Sequence, residues 1–465
     1  MPPHHKTEFI AAILFLRFRL FFVLFLFVGP LSAAVAEPTT EQFSERLNIL
    51  TSFPPEFYAP FLEVFSTLHP DIQISILNKK ATAALDEILR GNNRNFDLFW
   101  SSSADAFDLL NSKRKLAPSR QKHDYPLVTI KNLSLTEPGG YYHGFALSGV
   151  GWMWNDQYLK KEGLPVPASW ADLINPVYYG HIAMSTPARS GTTHLIVENF
   201  LQQLGWEKGW SQLLQIAGNL ATVTARSFSV PEGVNSGRFG IGLVIDFLSH
   251  ADQSPNIQFC YGKPVFLVAA EIAALNNGQN PKAANQFIRF ILSIKGQKIL
   301  LQPGINRIPI SRNLLSGSHR KVARFLEDNR QKKLRAYNVH LSRQRYHLVN
   351  KLFDQMITFK LRDRRQLWKQ MQNLIARFGA EEPAITAMKK RVLEHFGKVP
   401  VSVDKSQDAD FLNIFLPPAE DASVNPQQRE LINNWHVFIE SELGQVKELL
   451  AETEKFLLKR EEKTQ

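Results

Sequence analysis

Strands alternating with helices between residues 47 and 313 predict an α/β protein on a mostly parallel sheet, and a glycine-poor stretch with helical periodicity from residue 314 predicts a C-terminal helical extension. The first three strand–helix units carry the α/β expectation. Leu47-Asn-Ile-Leu-Thr-Ser-Phe53 reads as a strand that turns through Pro54-Pro55 into a helix over 56–68, where His69-Pro-Asp71 breaks it. Ile72 to Leu77 is a second strand and 81–90 a second helix; Phe96-Asp-Leu-Phe-Trp100 is a third strand, followed by the turn Ser101-Ser-Ser-Ala-Asp105 and a third helix. Parallel strands need helical crossovers, and sheets of this kind bind ligands beyond the carboxyl ends of their strands.

The fourth such turn is the most informative. Met184-Ser-Thr186 is a strand end, Pro187 to Gly191 a tight turn, and Leu195 to Leu204 a helix face. Backbone N–H groups without intrahelical partners, the positive end of the helix dipole, Arg189 and several hydroxyls converge there, which describes an anion site; an ordinary helix cap with a surface arginine gives the same local sequence. A second arginine lies in the similar turn Thr224-Ala-Arg226-Ser227. Arginine offers a planar fork of donors suited to phosphate or carboxylate.

The N-terminus has the elements of a secretory signal peptide: Arg17 and Arg19, the apolar run Leu20–Val28, and Ala34-Val-Ala36, with cleavage expected after Ala36. An uncleaved anchor is the alternative. Cys260 is the one cysteine, so no intramolecular disulfide forms, and with an exported chain this favours a bacterial periplasm. The net charge of +11 is uneven, with 16 Lys/Arg against 4 acids from Arg320 to Arg377. Nucleic acid is not expected as the partner of an exported chain; a solvated helical face, an acidic partner or an anionic membrane surface are the readings of this stretch.

The strand Trp154-Asn155, the phrase Trp170 to Pro176 with Tyr179-Gly-His-Ile182, the stretch Ser236-Gly-Arg-Phe-Gly-Ile-Gly242 and the turn Ser293-Ile-Lys-Gly-Gln297 occur in an order that resembles the periplasmic solute-binding proteins of ABC transporters, in the type II class that includes ferric-ion and hexose-phosphate receptors. The blocks Met184–Glu198, Gly218–Val230 and Leu348–Met356 are similar to the regulatory proteins of bacterial phosphoglycerate transport within that class. The resemblance implies a two-lobed periplasmic-binding-protein type II fold with crossing segments near Phe145–Gly149 and Tyr261–Val265. It divides the chain into lobe 1 (37–145 and 265–313), lobe 2 (146–264) and the extension (314–465).

It also implies a receptor for a phosphorylated three-carbon acid that serves transport or informs a membrane sensor kinase or ABC permease. The candidate ligand residues are Ser52, Ser102, Ser103, Arg189, Ser190, Thr192, Thr193, His194, Arg226, Ser227 and Asp246, with the two arginine loops meeting across the interlobe crevice. No metal and no cofactor are expected. Two alternatives stay open. Ferric receptors of the class place adjacent tyrosines where this chain has Asp246-Phe247, and its Tyr141-Tyr142 and Tyr178-Tyr179 pairs lie elsewhere. An exported hydrolase would use Ser103, Asp105 and His194, yet G-x-S-x-G, H-E-x-x-H and P-loop motifs are missing from the sequence.

Overall fold

The first and third strands are short apolar runs closed by serine turns, and the second, rich in isoleucine, is closed by Asn78-Lys-Lys80. The computed structural model describes residues 45–128, 135–250, 254–262, 267–315, 337–416 and 425–464; the signal-peptide reading and residues 320–336 of the basic stretch lie outside them. Strand β1 (Glu45–Thr51), helix α1 (Pro55–Leu68), β2 (Ile72–Asn78), α2 (Ala81–Leu89), β3 (Leu98–Ser101) and α3 (Ala104–Ser112) build the first half. β1 pairs in parallel with both β2 and β3, as the alternation predicts. The short β4 (Leu116–Ala117) joins the same sheet.

The long strand β5 (His143–Asn155) crosses between halves, and eleven of its residues are buried. The second half contains α4 (Asp156–Lys161), β6 (Ile182–Ser185), α5 (Gly191–Leu204), α6 (Trp206–Asn219), β7 (Leu220–Thr224), α7 (Ser229–Asn235), β8 (Ile241–Ile245), α8 (Asp246–His250) and β9 (Ile257–Tyr261). Strand β10 (Leu267–Leu275), α9 (Pro281–Leu292), α10 (Ile294–Ile299) and β11 (Ile308–Pro309) return to the first half. The strand order is β2-β1-β3-β10-β5-β8-β6-β7, and the sheet is mixed and not mostly parallel as expected. β1, β2 and β3 run parallel, as do β6, β7 and β8, but every pairing of β5 and β10 is antiparallel because these two strands cross back between the halves. Residues 143–149 of β5 pair with β10 in one lobe and 150–155 with β8 and β9 in the other, so a single strand threads both.

The C-terminal region is helical: α11 (Val339–Gln344), α12 (Tyr346–Phe353) with a π turn at Asp354–Thr358, α13 (Leu361–Phe378), α14 (Pro383–Phe396), α15 (Ala409–Asn413) and α16 (Pro426–Thr464). Leu348, Val349, Leu352, Phe353, Met356, Trp368 and Met371 of these helices share one hydrophobic cluster with Phe200, Trp206, Trp210 and Ile216 of the second lobe. The first lobe has its own core around Phe61, Trp100, Phe145 and Phe287. The extension is therefore built into the interior of one lobe. Trp368 sets the closeness of fit: its ring lies where a Cβ on Gly218 would sit, 2.4 Å away, and its Nε1 donates to Asn219 Oδ1 at 2.9 Å. Among the described residues no helix is long and apolar enough to cross a membrane.

Candidate functional site

The parallel strands end in polar turns that gather at one edge of each lobe. In the first lobe Ser52 follows β1 and Ser101 ends β3; their hydroxyls lie 2.7 Å apart, and Ser101 Oγ also accepts from the Ser103 amide at 3.2 Å. Ser102 and Ser103 are half-buried, and Ser103 stands at the start of α3 without a side-chain cap bond. In the second lobe Ser190 caps α5 by accepting from the Thr193 amide at 3.1 Å, and it lies 2.8 Å from Thr192 Oγ1. Thr193 is buried and bonds Ser185.

Arg189 and Arg226 are both exposed. Their loops follow β6 and β7, which are neighbouring parallel strands, and the Thr186 amide donates to the Thr224 carbonyl at 2.9 Å. The two arginine loops thus stand side by side on one lobe instead of facing each other from two lobes, because adjacent parallel strands deliver their carboxyl ends to the same edge. Arg226 lies over Phe228, 5.8 Å from the ring centre, and Ser227 beside it is half-buried.

His194 is enclosed by the extension. Its Nδ1 lies 2.8 Å from Asn350 Oδ1 of α12 and its Nε2 3.1 Å from Ser342 Oγ of α11. Burial holds its pKa below the ordinary histidine value. Ser342 in turn donates to Asp105 Oδ2 of α3 at 3.1 Å and accepts from Tyr337 at 2.8 Å. Arg343 donates to Asp108 of the first lobe at 2.7 Å, while Arg345 grips Glu198 of the second lobe through two bonds of 2.8 Å. The segment from Tyr337 to Arg345 is a strap joined to both lobes. The Ser342–His194–Asn350 spacing has the outline of a nucleophile, base and orienting group, but Ser342 has no exposed surface and its oxygen already meets Asp105 and Tyr337, so no substrate reaches it.

Asp246 lies between the lobes. Its Oδ2 accepts from the Gly149 amide at 2.8 Å and from the Tyr261 hydroxyl at 2.9 Å, and its Oδ1 from the Phe247 amide at 2.7 Å. Burial raises its pKa to about 6 against the opposing pull of these donors and of Arg307. Arg307 is the residue that sequence reasoning missed. It is 2% exposed, and its guanidinium is stacked on Phe247 at 3.7 Å and on Phe53 and Phe57 at 4.9 Å each, yet Nε and Nη1 have no hydrogen-bond partner among the described residues. Burial pulls its pKa down to about 9, with Asp246 opposing. The antiparallel register Ile308↔Leu147 carries Arg307 beside Ser148, whose Oγ is also unpartnered. The one signal in the sequence is an arginine set in the apolar run Ile305-Asn-Arg-Ile-Pro309.

The tyrosine pairs have other tasks: Tyr178 donates to the Pro165 carbonyl at 3.0 Å, and Tyr142 packs against Phe107. Among the described residues no three His, Cys, Asp or Glu side chains are grouped so as to hold a metal.

A family model described as bacterial extracellular solute-binding protein matches residues 93–325. The phosphoglycerate transport regulatory protein PgtC of Salmonella typhimurium is 31% identical over 385 residues, covering 81% of this chain and 91% of that protein. The periplasmic binding protein AfuA from Actinobacillus pleuropneumoniae, solved with fructose-6-phosphate bound, superposes with a TM-score of 0.58 at 19% identity, over 67% of this chain and 98% of AfuA. A ferric binding protein from Campylobacter jejuni does so with a TM-score of 0.51 at 16% identity, over 61% and 96%. These likenesses establish the type II periplasmic-binding-protein fold, here with its helical C-terminal region, and the chain belongs to the bacterial extracellular solute-binding protein family.

Proposed function

We propose that this protein is a periplasmic receptor for a small phosphorylated acid of the phosphoglycerate type, a binding protein and not a catalyst, which holds its ligand between the lobes and serves transport or signalling. The observation that carries the reading is Arg307: a nearly inaccessible guanidinium whose faces are covered by three phenylalanine rings, leaving Nε–H and Nη1–H without an acceptor among the described residues. Buried donors of this kind are normally satisfied, and a carboxylate or phosphate oxygen supplies what is missing. Phe53 and Phe247 follow β1 and β8, one in each lobe, so an anion at this arginine sits where closure brings the lobes together.

Ser52, Ser102 and Ser103 offer hydroxyls from the first lobe; Ser190 and Thr192 do so from the second, while Thr193 is buried and spends its hydroxyl on Ser185 and Ser190. Arg189, Arg226 and Ser227 form a positive rim that draws an anion toward the cleft. The phosphoglycerate regulatory relative and the fructose-6-phosphate receptor support a phosphorylated ligand.

Calorimetric titration of the chain from Glu37 onward against 2- and 3-phosphoglycerate, phosphoenolpyruvate, hexose phosphates, inorganic phosphate and ferric citrate tests this. One phosphorylated acid binds, stabilises the protein by about 2.7 kcal/mol at a hundredfold excess over its Kd, and loses binding in Arg307→Ala. Binding of ferric citrate alone, or phosphoglycerate binding untouched by Arg307→Ala, overturns the reading.

A further inference from the structure

A groove of about 720 Å³ runs between Tyr179 of the second lobe and the residues of α13 from Leu361 to Asn373, and none of the interlobe residues lines it. Its floor is Tyr179, and Arg362, Arg365 and Lys369 of α13 rise along one side. Spacings of three and four residues set these cations on one helix face, and the seven steps from first to last cover about 10 Å. No acidic side chain lines the groove. Arg365 and Lys369 are both poised over the Tyr179 ring, at 5.3 and 5.4 Å from its centre. Arg365 Nε is buried with no hydrogen-bond partner among the described residues, and its Nη1 meets only the Ala221 carbonyl, at 3.4 Å. Other basic side chains of the same region are neutralised locally: Lys360 pairs with Glu440, Arg343 with Asp108 and Arg377 with Glu461. Among the described residues the cations of the groove have no carboxylate partner.

At the rim Phe359 is 65% exposed, an apolar ring beside concentrated positive charge. The amides of Gln366, Gln370 and Asn373 complete the wall with groups that both donate and accept.

We infer that this groove docks an acidic peptide segment of a partner protein, with carboxylates on Arg362, Arg365 and Lys369 and an apolar side chain against Phe359. The amides along the wall can pair with the alternating N–H and C=O groups of an extended peptide. Cations spread over two helical turns exceed the reach of a single phosphate. The inference does not depend on which solute occupies the cleft, because the groove shares no residue with Arg307 or its neighbours.

The probe is a fluorescein-labelled octapeptide of alternating glutamate and leucine, titrated by anisotropy against the chain from Glu37 onward at low and high salt. Saturable binding is expected that weakens with salt and falls roughly tenfold or more in Arg362→Glu/Lys369→Glu. The same double variant should keep the wild-type melting temperature, Arg362→Lys should retain binding, and the matching lysine–leucine peptide should not bind. No binding of the acidic peptide up to about 1 mM, or binding indifferent to the double charge reversal, overturns the inference. So does sedimentation with phosphatidylglycerol vesicles that depends on Arg362 and Lys369 when the peptide fails to bind.

Discussion

Arg345 of the extension and Glu198 of the second lobe form a bidentate pair, Nε to Oε1 and Nη2 to Oε2 at 2.8 Å each, with side chains 3% and 0% exposed. Trp206 lies under the guanidinium at 5.0 Å. Removing one member strands the other as a buried uncompensated charge. Arg345→Ala is expected to lose about 3–5 kcal/mol of stability, while Arg345→Met combined with Glu198→Leu recovers most of it, because two apolar groups leave no orphan. Urea unfolding of the two variants checks the difference.

Asp105 gives a pH signature of opposite sign to that of an ordinary surface carboxylate. Burial, reinforced by Glu198 and Asp108, raises its pKa to about 7, and the Ser342 bond and Arg343 only partly oppose this. Between the ordinary value of 3.8 and about 7 the folded chain holds a proton that the unfolded chain has released. The contribution is therefore complete below 3.8, declines as pH rises through that window by about 1.4 kcal/mol per unit at most, and is constant above it. His347, held at about 4 by burial, and Asp246 also titrate in this range, so the measurement is the difference between wild type and Asp105→Asn. That difference should shrink from pH 5 to pH 8.

Arg307→Met separates ligand binding from folding. A shorter apolar chain among Phe53, Phe57 and Phe247 removes a desolvated cation whose Nε and Nη1 lack acceptors among the described residues, so the ligand-free protein should be unchanged or gain about 1 kcal/mol. The same variant should show no thermal shift with phosphorylated acids. A large loss of ligand-free stability would mean that the arginine is a structural pin.

Gly218→Ala tests how firmly the extension is seated. The new methyl group would meet the Trp368 ring at 2.4 Å, and that ring is 3% exposed and tied to Asn219. Overpacking there should cost about 1–3 kcal/mol. Melting should stay a single transition, since the second lobe and the extension share one core.

Local sequence was a sound guide to the strands and the serine turns, because each is decided by a few neighbouring residues: Leu47 to Phe53 needs only its alternation and its prolines. The buried face Leu348, Val349, Leu352, Phe353 was visible as helical periodicity, but its mate, Phe200 to Ile216, lies more than 130 residues earlier in the chain. His194 shows the same limit. Its position in a polar turn suited a ligand, whereas its neighbours Ser342 and Asn350 follow 148 and 156 residues later. Arg307 sat in what looked like an ordinary return turn, and only the convergence of three distant phenylalanines distinguishes it.

The hydroxyl of Ser342 has one hydrogen to give and three neighbours to serve. With Asp105 ionised, that hydrogen goes to the carboxylate, and the imidazole of His194 must offer its own from Nε2. With Asp105 carrying a proton, the carboxylic acid donates to Ser342, Ser342 donates to Nε2, and Nδ1–H turns to the oxygen of Asn350. One proton arriving on the first lobe thus reverses the polarity of a relay that ends on the second and changes the histidine tautomer, and the Asn350 amide turns over so that it offers an N–H to Nδ1 when Asp105 is ionised and its oxygen to Nδ1–H when Asp105 is protonated.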